Sequence, residues 1–151
     1  IDLIHDKKEE YFEELLTKPI LPRHGVVEIV DTCVENDLKL GFITSTSIRN
    51  INSIKNALKN NLDFSKFDLI TSIEDIKSPK PSGDVYSFAL NELCLKPKDV
   101  LAIEDTKANQ SAALEIGINC LLSPGEYAGV KYNDNPTYKI AEGVNSLIKF
   151  S

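Results

Sequence analysis

An open α/β fold, a parallel sheet with helices on both faces, is predicted by three observations. Short continuous apolar runs alternate with amphipathic stretches of about ten residues, the rhythm of βαβ units. The runs lack in/out alternation, as expected of strands covered on both faces. Three of them, in KLGFITSTS, KSPKPSGDVY and VLAIEDTKANQSAA, are followed or preceded by polar groups suited to phosphate or metal. Ligands of open α/β sheets bind outside the carboxyl ends of the strands.

The elements follow in order. Leu3, Ile4, Tyr11, Phe12, Leu15 and Leu16 recur at helical spacing, and Pro19 and Pro22 interrupt the pattern, so KPILPRHG reads as a hinge. A second helix carries Val26, Val27, Ile29, Val30, Cys33 and Val34 on one face. Residues 39–44 form a strand, 50–58 a helix, 67–71 a strand and 84–93 a helix, with Val85, Phe88, Ala89 and Leu93 inward. Residues 100–103 form a strand, 109–116 a helix and 118–122 a strand. A Pro/Gly/Asn-rich loop covers 123–136, and a short strand at 138–140 and a helix from Val144 close the chain.

Composition narrows the function. With 151 residues and 42% hydrophobic side chains the chain suffices for one domain with a core. A net charge of −6 excludes broad nucleic-acid backbone binding. No run is long enough to span a membrane, and the opening residues lack signal-peptide character. Cys33, Cys94 and Cys120 lack metal-ligand spacing and read as reduced, buried thiols of a cytosol-like compartment.

The chemistry-bearing residues each have a bland reading. Thr44, Ser45, Thr46 and Ser47 offer hydroxyls and helix-opening amides that cradle an anion, and the same residues are preferred helix caps. Lys80, between Pro79 and Pro81, presents a rigidly held point charge to phosphate, or is an exposed loop lysine. Glu104 and Asp105 end an apolar strand side by side. Their repulsion would be relieved by a hard cation such as Mg²⁺, for which one or two carboxylates suffice; otherwise Asp105 or Thr106 is a cap. Asp84 is expected to cap its helix or tie down its loop. His5, Arg23 and His24 are weaker candidates for contact with an anionic substrate, against ordinary surface roles.

In order and spacing these segments resemble motifs II, III and IV of the haloacid dehalogenase (HAD) superfamily. The chain is most similar to its β-phosphoglucomutase/phosphoglycolate-phosphatase branch, CbbY-type sugar-phosphate phosphatases in particular. The similarity runs through HxxKxxY (5–11), RxGV (23–26), TST (44–46), KPxxDVY (80–86), EDTxxxxxAA (104–113) and SPxxY (123–127). It implies a Rossmann-like three-layer core lacking its first central strand, plus the last cap helix. Residues 1–17 would end a helical cap, 18–24 form the return hinge, and 25–151 the core domain. Thr44, with Ser45 and Thr46, would bind the transferring phosphoryl group and Lys80 would neutralise it. Asp105, assisted by Glu104, would hold Mg²⁺; Arg23 and His5 would reach substrate.

Family members carry a DxD segment whose first Asp becomes phosphorylated and whose second acts as general acid and base. Its absence predicts a companion segment, from a longer natural protein or from another chain, and an inactive fragment without it. Departures from the family pattern leave every other group in place. His24 replaces the usual hinge proline, Gly83 loosens the KPSGD loop, and Asn109 stands where the family often has a glycine, suiting a left-handed turn. The resemblance implies a Mg²⁺-dependent phosphatase of small phosphorylated metabolites, in the cytoplasm or a plastid stroma. The alternatives are a phosphomutase and a non-catalytic HAD-like scaffold. A receiver-type signalling domain is disfavoured because its acidic pair precedes the Thr and Lys.

Overall fold

Two parallel strand pairs, each flanked by helices, make up the structure, a computed structural model that describes residues 2–124, with side chains from residue 6 onward. The elements are α1 (Asp2–Leu15), α2 (Val26–Glu35), β1 (Gly41–Phe42), α3 (Ile48–Leu58), β2 (Leu69–Ile70), α4 (Asp84–Leu93), β3 (Leu101–Glu104), α5 (Lys107–Glu115) and β4 (Asn119–Leu122). Short 3₁₀ turns at Phe64–Lys66, Ile73–Asp75 and Pro97–Asp99 precede or follow strands. The loop, strand and helix predicted beyond residue 124 lie outside the described residues.

β1 pairs with β2 and β3 with β4, both in parallel. Among the described residues β1 and β3 share no ladder, so the sheet is interrupted where a central strand was expected. The strands are shorter than their apolar runs because pairing fades at both ends. The ladder continues through single bonds instead, Asp68 N–H to the Leu40 carbonyl (2.8 Å) and Thr71 N–H to that of Phe42 (3.1 Å).

Each pair has its own core. Val30 of α2 and Leu58 of α3 bury with Leu62 beside β1–β2. There Phe42 meets Phe64 and Phe67 edge to face at 5.5 and 5.9 Å, a geometry that ring quadrupoles favour. Around β3–β4, Val85 and Tyr86 of α4 pack on Ala112 and Ala113 of α5 with Ile118 and Cys120. Small alanines let α5 lie close to the strands.

Local chemistry sets the helix ends. Gly25 precedes α2 at φ +88°, a conformation that favours glycine, so the retained hinge glycine is needed. Ser47 caps α3 by accepting from Asn50 N–H, and Thr106 caps α5 by accepting from Asn109 N–H. Four expectations are corrected. Asp84 is the first residue of α4 and makes no capping bond; its own N–H donates to Ser82 Oγ. Asn109 is helical rather than left-handed. Cys94 is exposed, in the left-handed position ending α4, so of the three thiols only Cys120 is fully buried. Gly83 has an ordinary helical φ of −72°, and a Cβ there would stand 3.0 Å from Ile116 Cγ2; close approach to the end of α5, rather than looseness, explains it.

Candidate active site

The residues after β1 form a loop fixed by its own hydroxyls. Thr71, fully buried at the end of β2, closes a ring with Thr44: its Oγ1 accepts from Thr44 N–H and donates to the Thr44 carbonyl, both at 2.8 Å. Thr44 Oγ1 in turn accepts from Thr46 N–H (3.2 Å). The Thr46 carbonyl takes Ile73 N–H at 2.8 Å, and its Oγ1 takes the amide of Asn50 at 2.9 Å. The loop is thereby locked between β2 and the first turn of α3, whose opening amides favour anions.

Lys80 reaches this loop from the segment after β2. Its backbone N–H donates to Ser45 Oγ (3.1 Å). Its ammonium donates to the Ile43 carbonyl (3.0 Å) at the tip of β1 and to Glu104 Oε1 (2.5 Å) at the tip of β3. One lysine thus spans the interruption between the two strand pairs. With side chains 14% and 8% exposed, the Lys80–Glu104 pair is shielded from water, unlike a surface ion pair of negligible worth. An ammonium has three donors, and among the described residues the Ile43 carbonyl and Glu104 take two of Lys80's.

Glu104 is fully occupied. Besides Lys80, its Oε1 accepts from the Tyr86 hydroxyl (2.7 Å) and its Oε2 from the Asn109 amide (3.2 Å). Burial, then the hydrogen bond to Glu104, raise the Tyr86 hydroxyl far above the usual phenol range. Burial, reinforced by the Glu104 charge, pushes the neighbouring Cys120 thiol up to about 11. Asp105, by contrast, is exposed. Among the described residues no three His, Cys, Asp or Glu side chains gather as a metal site. A hard cation such as Mg²⁺ takes one or two carboxylates together with substrate phosphates and waters, and the exposed Asp105 is chemically suited to be one of those carboxylates.

Thr44, Ser45, Thr46, Lys80 and Glu104 are thus brought together, with Asp105 next to them. Arg23 is placed differently: its guanidinium donates to the Ser123 carbonyl (2.9 Å), Ser123 Oγ (3.3 Å) and the Pro124 carbonyl (2.8 Å), tying the connector before α2 to the end of β4. His5 lies in α1, its side chain outside the described residues. Thr71, Tyr86 and Asn109, which shape the site, are not singled out by sequence as site residues. The strand-final position of Thr71 and the helical spacing of Tyr86 were the available signals.

Polar loops gathered at the carboxyl ends of parallel α/β strand pairs and joined by a part-buried lysine have the arrangement in which open α/β folds hold their ligands. The chain belongs to the haloacid dehalogenase-like hydrolase family, whose model matches residues 1–123. It is 31% identical to the protein CbbY of Cereibacter sphaeroides over 125 residues, 82% of this chain and 54% of that protein. It is also 31% identical to a phosphorylated carbohydrates phosphatase of Thermotoga maritima, over 76% of this chain and 50% of that one. The chain spans about half the length of the curated relatives it matches. Among solved structures, CbbY from Rhodobacter sphaeroides in complex with phosphate superposes with a TM-score of 0.76 at 30% identity, covering 85% of this chain and 57% of that one. A mutant of that CbbY in complex with xylulose-(1,5)bisphosphate gives 0.75 at 31% identity, over 83% and 56%.

Proposed function

We propose that the chain is part of a Mg²⁺-dependent phosphatase of small sugar phosphates or bisphosphates. The observation that carries this is Lys80, a shielded ammonium held between a loop of hydroxyls and amides and an acidic strand tip. Phosphoryl transfer needs positioning and charge neutralisation more than elaborate covalent chemistry, and this arrangement supplies both. The phosphorylated ligands named for the relatives, phosphate, xylulose-(1,5)bisphosphate and phosphorylated carbohydrates, support the same substrate class.

In this reading a strand between β1 and β3, from this protein or another chain, contributes the aspartate nucleophile. Its carboxylate oxygen bonds to phosphorus as the ester P–O bond breaks, and the sugar oxygen leaves as a hydroxyl with a proton from a second carboxylate. Water then cleaves the acyl phosphate, releasing phosphate. Thr44 and the Ser45 amide hold the phosphoryl oxygens, with the Thr46 amide joining them by exchanging its bond to Thr44 Oγ1, and Lys80 balances their charge. Asp105 holds Mg²⁺, which supplies further charge neutralisation when bound. Glu104 acts by holding Lys80. α1 belongs to a cap, and the connector through Arg23 is its hinge, braced against Ser123 rather than touching substrate.

The test is phosphate release by the full-length protein from a panel of sugar phosphates and bisphosphates. Release that depends on Mg²⁺ and falls about 10³-fold in Asp105→Ala is expected. Because Asp105 is exposed, that variant keeps its fold. Absence of release from every ester, or undiminished rates in Asp105→Ala, overturns the reading.

A further inference from the structure

The Lys80–Glu104 pair is clamped by two residues to which the proposed reaction assigns no part. Tyr86, only 3% exposed on the first turn of α4, directs its hydroxyl to Glu104 Oε1, the same oxygen that takes the Lys80 ammonium. Its ring lies 5.0 Å from Lys80 Nζ, within the range at which a cation is attracted to an aromatic face. Asn109 donates to the other oxygen, Oε2, while its backbone carbonyl stands 3.3 Å from the Tyr86 hydroxyl. A carboxylate held through both oxygens cannot rotate without breaking a bond, and a flexible lysine paired with it is confined to one place. Packing alone would ask for phenylalanine at this position. The hydroxyl serves the carboxylate instead.

We propose that Tyr86 is a positioning residue for Lys80, acting through Glu104, with Asn109 as the second arm of the same clamp. This rests on the phosphatase reading above. Supporting shells of this kind set how well a reactive group is held, and removing one member commonly lowers activity 10- to 100-fold without touching substrate.

The test is a double-mutant cycle in the full-length protein: Tyr86→Phe, Lys80→Ala and the combination, assayed for phosphate release from a sugar phosphate that the wild type hydrolyses, with melting curves for each. Tyr86→Phe is expected to lower kcat about tenfold with KM within about twofold, and to change kcat less than about twofold once Lys80 is gone. The same loss in both backgrounds shows a structural role and overturns the inference, as does wild-type kcat in Tyr86→Phe. If Tyr86→Phe fails to fold, Asn109→Ala in the same cycle decides, with a Lys80-dependent loss expected and a Lys80-independent one overturning it. Wild-type protein that releases no phosphate sinks the phosphatase reading and this inference together; an active wild type with an unaffected Tyr86→Phe sinks the inference alone.

Discussion

The two strand pairs solve the same problem, ending a strand in polar groups, in opposite ways. At the tip of β1 the groups are neutral, and Thr71, Thr44 and Ser47 satisfy them by closing hydroxyl–backbone bonds within the loop. The tip of β3 carries a buried carboxylate, and no local hydroxyl could offset its desolvation. It imports a cation, Lys80, together with two further donors, from Tyr86 and Asn109. The surroundings differ to match: three phenylalanines pack on one another at β1, while Lys80, Tyr86 and Asn109 bond to Glu104. A neutral tip is self-sufficient and an acidic tip is not. Among the described residues, what connects the two tips is therefore an ion pair rather than a backbone ladder.

The largest effect should come from breaking that connection. Lys80→Ala in the full-length protein is expected to lower kcat/KM by about 10²–10³, the loss typical of one charge-stabilising group. Thr44→Ala should cost about tenfold or less, because the amides of the loop still face the phosphoryl oxygens. Steady-state rates on one sugar phosphate check both. Equal losses in the two variants would show that charge and neutral donors are not divided between the tips as described.

A second contrast concerns stability. Phe67 is half-buried in the aromatic cluster and touches no polar site group. Phe67→Ala is expected to cost about 2–3 kcal/mol, below the 3–5 typical of a fully buried ring. Denaturant midpoints measure the cost, and amide exchange should locate it: protection falls at residues 40–42 and 69–71 more than at 101–104. Uniform loss along the chain would show one cooperative core rather than two.

Much of this was legible from the chain. The alternation of apolar runs and helical stretches, the parallel pairing and the gathering of Thr44, Ser45, Lys80 and Glu104 all follow from order and strand-end placement. The identity of Lys80's partner does not, because Glu104 and Asp105 are indistinguishable as letters. Only the folded strand tip, where residue 104 is buried and residue 105 just beyond β3 is exposed, gives one to the lysine and leaves the other for solvent or a cation. Arg23 was unreadable for a related reason. Its acceptors, the Ser123 and Pro124 carbonyls with Ser123 Oγ, lie about a hundred residues away, and a carbonyl has no sequence signature. Strand lengths were overestimated because hydrophobicity marks burial, whereas pairing depends on a neighbouring strand.

Surface charge should matter least, and it differs from the Lys80–Glu104 pair in the one variable that decides the worth of an ion pair. Arg49, in the first turn of α3, donates Nε and a second nitrogen to the two carboxylate oxygens of Glu13 on α1, at 2.5 and 2.6 Å. The geometry is bidentate, yet the Arg49 side chain is 52% exposed, so water and salt screen it. The Arg49 hydrogen bond holds the Glu13 carboxyl below its ordinary 4.5. A depressed carboxylate contributes fully above the unfolded-state value and loses that contribution as pH falls through the folded one. Glu13→Gln should therefore lower the melting temperature slightly at neutral pH, and wild type and variant should converge as pH falls through the depressed folded-state range or in about 1 M salt. A gap that persists in acid or in salt would mean that Glu13 supports the α1–α3 contact through packing, and the distinction drawn here between shielded and exposed pairs would not hold for this helix.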